Sequence, residues 1–90
     1  MERYIVVHGV RPGLDQEQAW QACHRLVTSA VKGAKWLRSY FLPDRDELLC
    51  DWEAPDEAAI RESLAAADAD RMSWVKYISL AVYMDPEFFK

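Results

Sequence analysis

Glycine, cysteine and histidine are all scarce in this 90-residue sequence, with three, two and two copies. Three isolated glycines leave no glycine-rich loop of the kind that cradles phosphate groups. Cys23 and Cys50 are too few and too far apart for a disulfide framework or a CxxC redox pair. They read as two reduced thiols and point to a cytoplasmic protein. No nucleophile elbow and no paired zinc ligands occur. The acidic stretch Asp68 to Asp70 lacks the oxygen-ligand spacing of a calcium loop. No apolar run reaches the ~18 residues of a membrane-spanning helix. Positive charge is also short. Eleven Lys and Arg stand against fifteen Asp and Glu, a net charge of −4. An acidic domain with scattered cations is poorly suited to nucleic acid or an anionic membrane as partner. The opening Met1-Glu2-Arg3-Tyr4 runs straight into a strand pattern without the layout of a signal peptide, which again suggests the cytoplasm.

Aromatic residues are abundant instead. Four Trp, four Tyr and three Phe are many for a single domain, residues 1–90, whose core is small. Some are expected on a surface, where a large aromatic area marks a partner or ligand.

The pattern along the chain predicts βαββαβ. Arg3 to His8 is rich in β-formers and reads as a strand, punctuated by Gly9 to Gly13 with Pro12. Asp15 and Gln18 form a capping pattern for a helix whose apolar stripe includes Ala19, Trp20, Cys23, Leu26, Val27, Ala30 and Val31. Lys32-Gly33 is its stop. Lys35 to Leu42 and Glu47 to Ala54 read as a hairpin joined by Pro43 to Asp46. Pro55, as the first helical residue, with Asp56 and Glu57 opens a second helix. That helix buries Ile60, Leu64 and Ala67 and frays over Asp68 to Arg71. Trp74 to Met84 reads as the last strand, stopped by Asp85-Pro86. The expected class is α+β and ferredoxin-like: a four-stranded antiparallel sheet with two helices on one face and the other face open.

Side chains alternate across a strand. A four-residue turn opposes Phe41 to Leu48, Ser39 to Cys50 and Leu37 to Trp52, an apolar set suited to the helices. It also opposes Tyr40 to Leu49, Arg38 to Asp51 and Trp36 to Glu53, a mixed set suited to the open face. Arg38 and Asp51 then form a cross-strand charge pair. In the first strand Ile5 and Val7 are assigned inward, leaving Tyr4, Val6 and His8 on the open face. In the last strand Ile78, Leu80 and Val82 are assigned inward, with Tyr77, Ser79, Ala81 and Tyr83 outward. Trp20, Phe41 and Trp52 are assigned to the core. The open face then gathers Tyr4, His8, Trp36, Arg38, Tyr40, Asp51, Glu53, Tyr77 and Tyr83. Two such sheets packed face to face would cover it, so a homodimer is expected, a dimeric α/β-barrel-like assembly. A small-molecule site is expected between the sheets or in a sheet–helix cleft.

Three stretches resemble a family of small bacterial proteins of unknown function. They are Trp36-Leu37-Arg38-Ser39-Tyr40, the run from Cys50-Asp51-Trp52-Glu53 through Ala54-Pro55-Asp56-Glu57 to Glu62, and Asp85-Pro86. Some members of that family are described as nickel-binding ferredoxin-like dimers. The resemblance implies the fold, the dimer and a nickel site to which Cys50 and Glu53 correspond. The family usually carries His at the positions of Arg38 and Ser63. A guanidinium stays protonated and cannot donate to a metal, so the nickel implication is weakened here.

Three functions follow as expectations. The first is a homodimer of uncharacterised role that binds a small ligand or partner through its aromatic sheet face, without a cofactor. The ligand-facing residues are Tyr4, His8, Trp36, Arg38, Tyr40, Asp51, Glu53 and Tyr77. The second is an enzyme, since dimeric ferredoxin-like proteins of similar length and strand order include cofactor-free monooxygenases and isomerases acting on small aromatic compounds. His8 would take a proton and Arg38 would stabilise the oxyanion. The third is a transition-metal site from Cys50 and Glu53, with His8 as a further ligand.

Overall fold

The computed structural model describes residues 1–13, 15–29, 33–69 and 73–90. Its elements are β1 (Glu2–Val10), α1 (Gln16–Ser29), β2 (Lys35–Leu42), β3 (Glu47–Ala54), α2 (Glu57–Ala66) and β4 (Ser73–Leu80), followed by a 3₁₀ turn at Pro86–Phe89. All the strand pairs are antiparallel, in the order β2-β3-β1-β4. This is the expected ferredoxin-like βαββαβ plan. The helix stop at Lys32 and the stripe positions Ala30 and Val31 lie outside the described residues, as do Asp70 and Arg71 of the fraying end.

Local chemistry explains the boundaries. The Asp15 carboxylate accepts from the Gln18 backbone N–H at 2.8 Å, capping α1 as its spacing predicts. Gly33, at φ +79°, takes the left-handed conformation that lets the chain turn back toward β2. The second helix begins at Glu57, two residues later than expected from Pro55 as its first residue. Asp56 is its N-cap and accepts from the Ala59 N–H at 2.9 Å, so Pro55 precedes the cap. β4 ends at Leu80, four residues short of the expected Met84.

The hairpin register matches the expectation from Leu42↔Glu47 to Arg38↔Asp51. A bulge at Leu37 then breaks the alternation, and Trp36 pairs with Trp52. A second bulge falls where β1 meets β4. There His8 opposes Val75 and Val7 opposes Tyr77, leaving Lys76 as the extra residue.

The core lies between the sheet and the helices. Trp52, Val6 and Ile60 are wholly buried there, with Cys50, Ala54, Ala59 and Leu64 around them. Burying a side chain the size of Trp52 or Ile60 contributes about 2–3 kcal/mol each. Arg25 on α1 donates to the Ala67 carbonyl at 2.7 Å and ties α1 to the end of α2.

Several face assignments are corrected. Tyr4, Val6 and His8 turn toward the helices, and Ile5 and Val7 toward the open face. Both sets in β1 are apolar enough to be buried, so composition alone does not choose between them. Trp20 and Phe41, expected in the core, are 63% and 50% exposed. Val82, expected inward, lies beyond β4 and is exposed. Leu80 sits at the end of β4 and is exposed too, whereas Ile78 packs on the core as expected.

Candidate functional site

Two regions of this fold concentrate functional side chains, one on each side of the sheet. On the open face, the Asp51 carboxylate is the centre. Its Oδ2 accepts from Arg38 on β2 at 2.7 Å and from Arg3 on β1 at 3.2 Å. Arg3 also reaches Glu53 at 3.4 Å. Its guanidinium lies 4.7 Å from the ring centroid of Tyr83, a cation–π geometry. Tyr83 in turn donates to Asp85 at 2.8 Å, which pushes the phenol pKa up because the neutral O–H is the bonded form. Asp51 is nearly buried while Arg38 is 46% exposed, so one guanidinium still faces outward.

Aromatic rings flank this charged centre. Tyr40, Tyr77 and Trp74 are each more than half exposed. Trp74 opposes Gly9 across the β1–β4 pair, and its indole covers that glycine so closely that a Cβ there would overlap the ring. Beside it Lys76 spans to Glu47 at 2.8 Å, which holds the Glu47 pKa below the usual carboxylate range.

Of the residues predicted for the open face, Arg38, Tyr40, Asp51, Glu53 and Tyr77 are there, together with Tyr83 at its edge. Tyr4, His8 and Trp36 are not. Trp36 turns to the helix side because of the Leu37 bulge, where its indole N–H donates to Ser39 Oγ at 2.8 Å. Arg3 and Trp74 were missed. Arg3 follows from the alternation of β1 once Tyr4 is turned inward. Trp74 follows from a small residue, Gly9, opposite a large one.

The second region is a cleft of about 520 Å³ between α1 and the sheet. Leu26 and Cys23 line it from α1, Leu64 from α2, and Leu48, Phe41 and His8 from the strands. The exposed Trp20 and Phe41 both border it. His8 is only 3% exposed, and neither ring nitrogen meets a hydrogen-bond partner among the described residues. Burial disfavours the imidazolium and lowers its pKa to about 4. Cys50 is also buried here. Burial pushes its thiol up to about 12, against a weaker opposing effect from the Ser39 hydroxyl, which donates to Cys50 Sγ at 2.9 Å.

These positions separate residues that the sequence reading had combined. His8 faces the helices and Arg38 faces away, so the sheet stands between the expected base and the expected oxyanion holder. Cys50 and Glu53 are likewise on opposite faces. Ser63, where the family carries His, is buried on α2 and donates to the Ala59 carbonyl at 2.8 Å. Among the described residues, no three His, Cys, Asp or Glu side chains converge where a metal ion could be held. Among those described residues, the donors expected for a nickel centre, Cys50 and Glu53, therefore do not meet within one chain. Among the same residues, no helix is long and apolar enough to cross a membrane.

Comparison with known proteins agrees with this architecture. Residues 4–76 match the family described as "Nickel responsive protein SCO4226-like". This chain belongs to that family. The crystal structure of SCO4226 from Streptomyces coelicolor A3(2) superposes with a TM-score of 0.76 at 15% identity, covering 92% of this chain and 99% of that one. A structural-genomics structure of protein YJCS gives a TM-score of 0.57 at 12% identity, covering 93% of this chain and 100% of that one. At these identities the likeness establishes the fold. No curated protein matches the sequence.

Proposed function

We propose that this SCO4226-like chain is a self-associating domain whose working surface is the open sheet face, and that its partner there is a second copy. The observation that carries this reading is the composition of that face. Exposed Tyr40, Tyr77 and Trp74 surround Arg3, Arg38, Asp51 and Glu53. Two guanidinium groups and two carboxylates sum to no net charge, so two copies of the face meet without repulsion. A two-fold arrangement would set the mixed charges and exposed aromatic rings of one copy against those of the other. Exposed aromatic area of this kind is characteristic of interfaces.

The enzymatic reading has less support, because His8 and Arg38 lie on opposite sides of the sheet. The metal reading also has less support, because Cys50 and Glu53 do. The nickel-responsive description belongs to the family, and this chain lacks the two histidines at positions 38 and 63.

Sedimentation velocity tests the proposal. The wild type is expected to sediment at twice the 10.4 kDa chain mass. Tyr77→Glu places an unpaired charge in the buried patch and is expected to shift the population to monomer with the fold intact by circular dichroism. A wild type that is monomeric at every concentration contradicts the proposal, and so does a Tyr77→Glu dimer as tight as the wild type.

A further inference from the structure

We propose that the cleft between α1 and the sheet is a binding site for a small uncharged molecule with an apolar body and one hydroxyl or carbonyl group, oriented by the His8 imidazole. This site is separate from the open face, from which the sheet divides it, and does not depend on pairing.

Volume is the first support. About 520 Å³ is within the range of small-molecule sites and far exceeds the gaps left in a packed core. The lining is the second. Leu26, Leu48, Leu64, Phe41 and Trp20 supply an apolar wall around few polar groups. Among the described residues that line it there is no Lys or Arg, so none of them offers an anion a counter-charge. The carboxylate at its mouth, Asp15, is already engaged in capping α1. His8 is the third support. Buried imidazoles are normally hydrogen-bonded, and here both nitrogens are buried without a partner among the described residues. A neutral imidazole offers one donor and one acceptor, which suits a hydroxyl. His8 also borders a smaller hollow of about 200 Å³ between α2 and β4, so its ring stands where two spaces meet. Of the other polar groups nearby, Ser39 is bonded to Trp36 and Cys50, Ser73 donates to the Ala69 carbonyl at 3.0 Å, and Gln16 is exposed to solvent.

A matched series of probes separates the contributions: 2-naphthol, naphthalene and 2-naphthoate, followed by amide ¹H–¹⁵N NMR shifts. The proposal expects 2-naphthol to give saturable shifts at Ala19, Cys23 and Leu48, with weaker binding of naphthalene and the weakest of 2-naphthoate. His8→Leu is expected to weaken 2-naphthol by roughly tenfold, the scale of one hydrogen bond, and to leave naphthalene within about twofold. Ala22→Trp fills the cleft without touching His8 and is expected to abolish binding of both. Its spectrum keeps the test decisive should His8→Leu not fold. Absence of saturable shifts overturns the proposal. Shifts confined to Tyr40 and Tyr77 do the same, as do tightest binding of 2-naphthoate, an Ala22→Trp variant that binds normally, or a folded His8→Leu variant that binds 2-naphthol as the wild type does.

Discussion

Trp74 lies over Gly9, and its indole occupies the space a side chain would need. The bulge at Lys76 makes this possible by putting Trp74 and Tyr77 on the same side of the sheet. Gly9→Ala must therefore displace the ring or the strand. We expect a loss of about 1–3 kcal/mol, the usual cost of overpacking, read by urea denaturation. The displaced indole should also shift its fluorescence. Unchanged stability and emission would contradict the packing described.

The buried His8 predicts a specific pH dependence. Its pKa falls from an ordinary 6.5 to about 4 in the folded chain. Between those values the unfolded state binds the proton and the folded state does not, so stability is present above pH 6.5 and is lost as the pH falls toward 4. The slope contributed by this group is about 1.4 kcal/mol per pH unit within that window. His8→Leu should remove this component. Urea titrations at several pH values compare the two chains, and equal slopes would exclude His8 as the source.

Asp51 and Arg38 should respond unequally to removal. Asp51 is nearly buried and accepts from two guanidinium groups, whereas Arg38 is half-exposed and keeps access to water. Asp51→Ala should cost about 1–3 kcal/mol, because it leaves Arg3 and Arg38 without their shared acceptor. Arg38→Ala should cost about 0–1 kcal/mol, as for other exposed pairs. Denaturant midpoints of the two variants check the order, and a reversed order would contradict the geometry.

The thiols should also separate. Cys50 is 1% exposed with its pKa pushed up to about 12, while Cys23 is half-buried on α1 with its pKa raised by burial. Thiolate is the reactive form, so both should react slowly and Cys50 last. Alkylation followed by mass spectrometry of the intact fold should label Cys23 first. Equal labelling would mean that the β3 core opens readily.

The hairpin was legible in the sequence because charge and apolarity separate cleanly between Leu42↔Glu47 and Arg38↔Asp51, and a register slip would bury charges. β1 was not legible in this way. Tyr4, Val6 and His8 alternate with Ile5 and Val7, and either set is apolar enough to face the helices. Only the neighbours decide, through Arg3 reaching Asp51 on the open side. The bulges left no mark in the composition, yet one of them moves Trp36 across the sheet. Trp20 and Phe41 have helical and strand positions that suit a core, but the cleft beside α1 leaves them half open. The aromatic surplus is thus divided differently from the sequence reading. Tyr4, Trp36 and Trp52 lie on the helix side, and Tyr40, Trp74 and Tyr77 on the face proposed for pairing.

Isotope-filtered nuclear Overhauser spectroscopy on a mixture of labelled and unlabelled chains tests the pairing most directly. The account predicts cross-peaks between copies from the ring protons of Tyr40 and Tyr77, with none from α1 or α2. Inter-copy cross-peaks confined to the helices, or none in a sample that sediments as a dimer, would contradict it.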